Sequence, residues 1–152
     1  MNSDYRDSAG FTIIELLVVV AIIAVMASFA ILSFNGSKAA ARDAQRQSDI
    51  HQYQNAIEIY ANANNGVFPI KASAVNPSSM CGASNPLGNI TCPNDPTSVN
   101  SYQYVTDGSG TKYVIWATLE KPVPAQVFYV CSTGYAGTKA AAGFTGGNGN
   151  CP

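Results

Sequence analysis

Gly10-Phe11-Thr12-Ile13-Ile14-Glu15-Leu16 opens an apolar run that continues to Phe34, and Glu15 is the only ionisable residue in it. The 24 positions from Phe11 to Phe34 exceed the roughly 20 apolar residues that cross a bilayer. A carboxylate inside such a segment costs about 2.5–3.5 kcal/mol on insertion scales, so it calls for a partner. The nearest cation is the amino group that a cut between Gly10 and Phe11 would create. Residues 1–10 are polar and end on the small pair Ala9-Gly10. In an ordinary secretory signal the small residues follow the apolar core, whereas here they precede it. Cleavage after Gly10 would therefore leave the apolar helix on the mature chain.

Beyond the run the chain stays free of proline to Ala61, with Asn35-Gly36 as its one breaker pair. Ala, Gln, Arg and Asp follow, mostly good helix formers. On a 3.6-residue period Ala39, Ile50, Tyr53, Ile57 and Tyr60 share one face, with His51, Gln54 and Glu58 beside it. That is the pattern of an amphipathic helix packed on a head. Joined to the apolar half it would make a rod of roughly 75 Å, loosened at Gly36 if anywhere. Asn64-Asn65-Gly66 ends the helix, with Pro69 just beyond.

Residues 71–100 are rich in Pro, Ser, Asn and Gly and read as a loop. Tyr102–Thr106 alternates, Asp107-Gly108-Ser109-Gly110 is a hairpin turn, and Thr111–Leu119 is β-branched and aromatic. Lys121-Pro122-Val123-Pro124 separates this from a third strand, Gln126–Cys131. The Gly- and Ala-rich tail from Ser132 is expected to be irregular. The sheet would lie on the second half of the helix, giving an α+β head.

Four cysteines, Cys81, Cys92, Cys131 and Cys151, lie in this second half. An even count in a loop-rich segment beyond a membrane run points to disulfides in an oxidising compartment. A zinc site would want a close C-x-x-C pair, and His51 is far upstream. Of three pairings, Cys81–Cys92 and Cys131–Cys151 are favoured, because each ties down a loop with little other support. Charged residues are only 11 % of the chain and the formal net charge is −1. Without residues 1–10, seven basic and seven acidic side chains remain, which gives no electrostatic reason for a nucleic-acid partner. Lys38, Arg42 and Arg46 follow the span, and the positive-inside rule alone would put the head in the cytoplasm. The cysteines argue the opposite side, and they decide the expected topology.

Gly10, Phe11-Thr12-Ile13-Ile14-Glu15-Leu16-Leu17-Val18-Val19-Val20 and the uncharged helix after them resemble the signal of type IV prepilins and type II secretion pseudopilins. A weaker likeness to small pilins near the major pseudopilin covers Ala41 through Pro69 and Tyr113–Glu120. The resemblance implies cleavage after Gly10 by a prepilin peptidase and N-methylation of Phe11. It also implies that Glu15 meets the Phe11 amino group of a neighbouring subunit, with Thr12 adding a hydroxyl. Where many family members carry a proline in the first helical half, Leu32 stands here.

The resulting expectation is a pilin fold, with residues 1–10 a removed leader and 11–34 a transmembrane and filament-core helix. Residues 35–152 form the head: helix 35–64, loop 65–100, sheet 101–131 and tail 132–152. The chain is expected to be a structural subunit and not an enzyme, without cofactor. It would be held in the inner membrane with its head outside the cytoplasm, then polymerised with itself by the membrane assembly machinery. The alternative is the major pseudopilin of a type II secretion system. A minor pilin for adhesion or DNA uptake would need an exposed aromatic or basic site that the sequence does not display. His51 sits on a polar flank with no triad around it and reads as structural. Asp107 is a weak calcium candidate, since a calcium site wants several carboxylates and Asp95 and Glu120 would have to join it in space.

Overall fold

The computed structural model describes residues 10–88, 90–97 and 102–152; of residues 30–35 only the backbone is described. Residues 1–9 of the leader expected at 1–10, and the side chains expected to complete the span at 30–34, Leu32 among them, lie outside the described set. Helix α1 (Ile13–Ala63) is followed by a single turn of 3-10 helix (Pro77–Met80). Strands β1 (Gln103–Thr106), β2 (Tyr113–Thr118), β3 (Gln126–Cys131) and β4 (Ala136–Ala140) come next, before a last 3-10 turn (Gly146–Gly149). The chain divides into two compact units, one ending at Lys38 and the other Ala39–Pro152. The helical backbone continues through Gly36, so the breaker pair does not end α1.

α1 stops where the sequence places its end. Asn65 takes the left-handed conformation (φ 56°), and the Gly66 amide donates to the Ala61 carbonyl at 2.8 Å. That six-to-one bond is a Schellman end, which satisfies a carbonyl the helix would otherwise leave open.

In the second unit the four strands form an antiparallel meander in the order β1-β2-β3-β4. Side chains alternate across it, as the pleat requires. Tyr104, Tyr113, Ile115, Ala117, Phe128 and Val130 face Ile50, Tyr53, Ile57 and Ala61 of α1, with Phe68, Met80, Leu87 and Tyr102 closing the core. The opposite face carries Val105, Val114, Trp116, Val127, Tyr129 and Cys131, covered by Ala141 and Phe144. Both faces being covered explains why β2 and β3 read as nearly continuous apolar runs.

The tail corrects one expectation. Residues 132–152 are not irregular throughout: β4 pairs with β3 from Gln126↔Ala140 to Val130↔Ala136. The chain beyond β4 then folds back over the outer face. Gly146 (φ 72°) lies so close that a Cβ there would stand 2.4 Å from Trp116 Cζ3. An apolar sheet face needs a cover, and the small residues of the tail let the backbone itself supply it.

Candidate assembly site

The first turn of α1 is built as a reciprocal cap. The Thr12 amide and hydroxyl both donate to Glu15 Oε2, at 2.9 and 2.7 Å, while the Glu15 amide donates back to Thr12 Oγ1 at 3.3 Å. The Leu16 amide bonds to the Thr12 carbonyl at 3.3 Å and begins the helical ladder. A Thr followed three residues later by Glu, just before an apolar run, is the capping-box signature. A negative side chain there also suits the positive end of the helix. The Thr12-x-x-Glu15 spacing of that box is readable in the sequence. The Glu15 carboxylate in fact has a partner within its own chain.

Gly10, Phe11, Thr12 and Glu15 are all exposed, Phe11 at 89 %. The large apolar side chains from Ile13 to Phe29 are half-exposed or more. A continuous apolar surface of that extent marks an interaction site in a folded protein. No helix among the described residues is long and apolar enough to cross a membrane; the described side chains of the run stop at Phe29.

In the second unit one buried cation organises the packing. Arg46 has no exposed surface. Its Nε donates to Asp95 Oδ2 at 2.6 Å, its Nη1 to Asp43 and Glu120 at 2.8 Å each, and its Nη2 to Thr97 at 3.1 Å. Arg42 grips Glu120 from outside through two nitrogens. The amides of Glu120 and Lys121 donate to the Asp43 carboxylate at 2.9 and 2.8 Å. Two separate segments, 95–97 and 120–121, are thus tied to one helical turn. Burial lowers the basicity of Arg46, but its hydrogen bonds to Asp95, Glu120 and Asp43 raise it above the ordinary arginine value. Burial likewise pushes Asp95 up, yet the bonds from Arg46 and Thr97 hold it below the usual carboxylate range. Arg42, then Arg46, bring Glu120 down to about 2. Among the described residues no buried side-chain nitrogen or oxygen lacks a partner.

Residues 5–31 match the family described as the prokaryotic N-terminal methylation motif. Over 110 residues the chain is 31 % identical to the type II secretion system core protein G of Vibrio cholerae serotype O1, covering 68 % of this chain and 74 % of that one. The chain belongs to the type IV pilin and pseudopilin family. No solved structure matches it.

In this pilin the cysteines pair as Cys81–Cys92 and Cys131–Cys151, with Cα atoms 6.4 and 5.6 Å apart. The first closes the loop after α1 and the second pins the tail to the outer face of β3. Asp107 accepts from the Ser109 and Thr111 hydroxyls and the Thr111 and Lys112 amides, at 2.6–3.1 Å. Its carboxylate braces the β1–β2 turn. Asp95 and Glu120 do not join it, because Arg46 holds both. No group of three or more metal-ligating side chains occurs among the described residues. His51 is exposed on α1, 3.1 Å from Gln54 and edge-on to Phe128. The sequence did not reveal the Arg46 centre, since Asp95 and Glu120 lie 49 and 74 residues away in the chain. One signal was available: Asp43 and Arg46 fall on the same stripe as Ala39, Ile50 and Tyr53.

Proposed function

We propose that this pilin is the structural subunit of a type IV pilus or pilus-like filament, not an enzyme. The observation that carries the reading is the exposed apolar helix that opens at Gly10-Phe11 and holds Glu15 as its only carboxylate. A prepilin peptidase cuts after Gly10 and methylates the new amino group of Phe11. Residues 11–34 store the subunit in the inner membrane, with the disulfide-bonded head in an oxidising compartment. Assembly then moves the helix from lipid to the core of a fibre of its own copies. The intrachain bonds to Glu15 fall on Oε2, so Oε1 accepts the Phe11 ammonium of the neighbour. Glu15 thereby caps its own helix and sets the register of the next subunit.

The likeness to core protein G of a type II secretion system favours a second reading, that of a periplasmic pseudopilus. Deletion separates the two: the pilus predicts loss of surface filaments, the pseudopilus loss of protein secretion with no visible fibre lost. A nucleic-acid role has no charge pattern behind it; salt-sensitive retention of DNA by purified filaments would overturn that judgement.

Mass spectrometry of the mature N-terminus tests the main reading. The expected species begins at a methylated Phe11, and an intact Met1 would overturn it. Glu15→Val is expected to insert normally but to yield at least tenfold fewer filaments, counted by electron microscopy. Wild-type yield from that variant would remove the docking role of Glu15.

A further inference from the structure

Residues 121–125, on the connection from β2 to β3, are all exposed. Val123 is 89 % exposed, more than any other large apolar side chain described in the second unit. A single exposed valine asks for no partner by itself; its setting does. Lys121 stands two residues before it, and among the described residues no carboxylate pairs with the Lys121 ammonium. Glu120 is taken by Arg42 and Arg46, and Asp43 by Arg46. The connection therefore presents an apolar side chain beside a cation that the head does not neutralise. Its place along the chain selects the partner. The Glu120 and Lys121 amides fasten it to Asp43, which follows Phe34, the end of the apolar run, by nine residues of unbroken helix. Nine helical residues rise about 14 Å. The two residues from Lys121 to Val123 span about 7 Å, and the headgroup layer stands about 5–7 Å above the hydrocarbon of a bilayer. A membrane that holds residues 11–34 is thus within reach of Val123.

We propose that this connection rests on the surface of the membrane that stores the subunit. Val123 enters the boundary between headgroups and acyl chains, and Lys121 binds the phosphate of an anionic phospholipid. An apolar tip with a basic flank is the pairing that interfacial segments use. Pro122 and Pro124 have fixed φ and no amide, so the loop loses little freedom on contact and strands no donor away from water. The contact rests on the storage of residues 11–34 in a bilayer. It adds a second foothold, given up when the helix leaves lipid for the fibre.

The test uses the full chain, reconstituted in vesicles of phosphatidylglycerol and phosphatidylethanolamine. Val123→Cys is labelled with a small environment-sensitive fluorophore; the four native cysteines are paired, so the label has one target. Lipids carrying a nitroxide near the headgroup are expected to quench this label at least threefold more than the same label on Ile59→Cys or Tyr135→Cys, two other exposed positions of the head. Adding Lys121→Glu, or using vesicles of phosphatidylcholine alone, should remove most of that difference. Quenching that ignores both changes would overturn the role of Lys121. Equal quenching at the three positions would overturn the contact and leave the storage of residues 11–34 intact. Shielding of position 123 in assembled filaments but not in vesicles would assign the loop to a neighbouring copy and overturn it as well. A chain that does not enter the vesicles would overturn both the contact and the storage.

Discussion

Arg46 is fully buried in the head and donates five side-chain hydrogen bonds. Read along the helix, Arg42, Asp43 and Arg46 look like solvated surface charges. Folding buries one of them completely and gives it three carboxylates and a hydroxyl. Removing one partner of a buried ion pair costs about 3–5 kcal/mol, because the remaining charges stay desolvated and unpaired. Arg46→Ala is therefore expected to lower the unfolding free energy by about that amount in urea titration. Arg46→Lys should recover little, since an ammonium cannot reproduce the forked geometry that reaches Asp95 and Asp43 at once. A loss under about 1 kcal/mol for Arg46→Ala would remove Arg46 as the organising residue.

At the scale of elements, the stripe Ala39, Ile50, Tyr53, Ile57, Tyr60 and the alternation of β1 were legible as periods, and β2 and β3 as β-branched and aromatic runs buried on both faces. β4 was not. Its residues Ala136–Ala140 are almost all exposed or half-buried, so no hydrophobic period marks it; its pairing comes from the free edge of β3. The tail beyond it depends on Cys131–Cys151, whose cysteines lie 20 residues apart. Closing such a loop stabilises by about 3 kcal/mol in the chain-entropy model. The Cys131→Ser/Cys151→Ser variant is expected to lose about that much stability. It should also red-shift the emission of Trp116, the chain's single tryptophan, which Phe144 of the tail covers at 5.3 Å between ring centroids. Unchanged emission would show that the tail holds its place without the bond. Gly146→Ala, a second probe of the same strap, should cost about 1–3 kcal/mol by crowding Trp116.

For the whole molecule, the carboxylates around Arg46 make stability depend on acid. Asp95 lies below its ordinary 3.8, and Glu120 falls from 4.5 to about 2. The unfolded chain therefore binds more protons than the folded one between about pH 5 and pH 2, and stability rises with pH across that window. Their contribution is fully present above about pH 5 and is lost as the pH falls towards 2. The urea midpoint should be flat from about pH 7 to 5 and then decline, with a visibly shallower decline in Arg46→Ala. Parallel declines in the two proteins would exclude the network as the acid-sensitive element.

The sequence by itself determined the family, the long helix and the α+β class, and it singled out Gly10, Phe11, Thr12 and Glu15 as the residues proposed for assembly, because these rest on local order along the chain. A small residue, an aromatic and a carboxylate ahead of an apolar run need no fold to be recognised. Tertiary structure alone decided that Arg46 is a buried hub, that Asp95 and Glu120 serve it instead of Asp107, and that the tail covers the second face of the sheet. Those outcomes depend on groups that meet only after the chain has folded back on itself. Side chains 49 to 74 residues apart leave no period or spacing for a linear reading to detect.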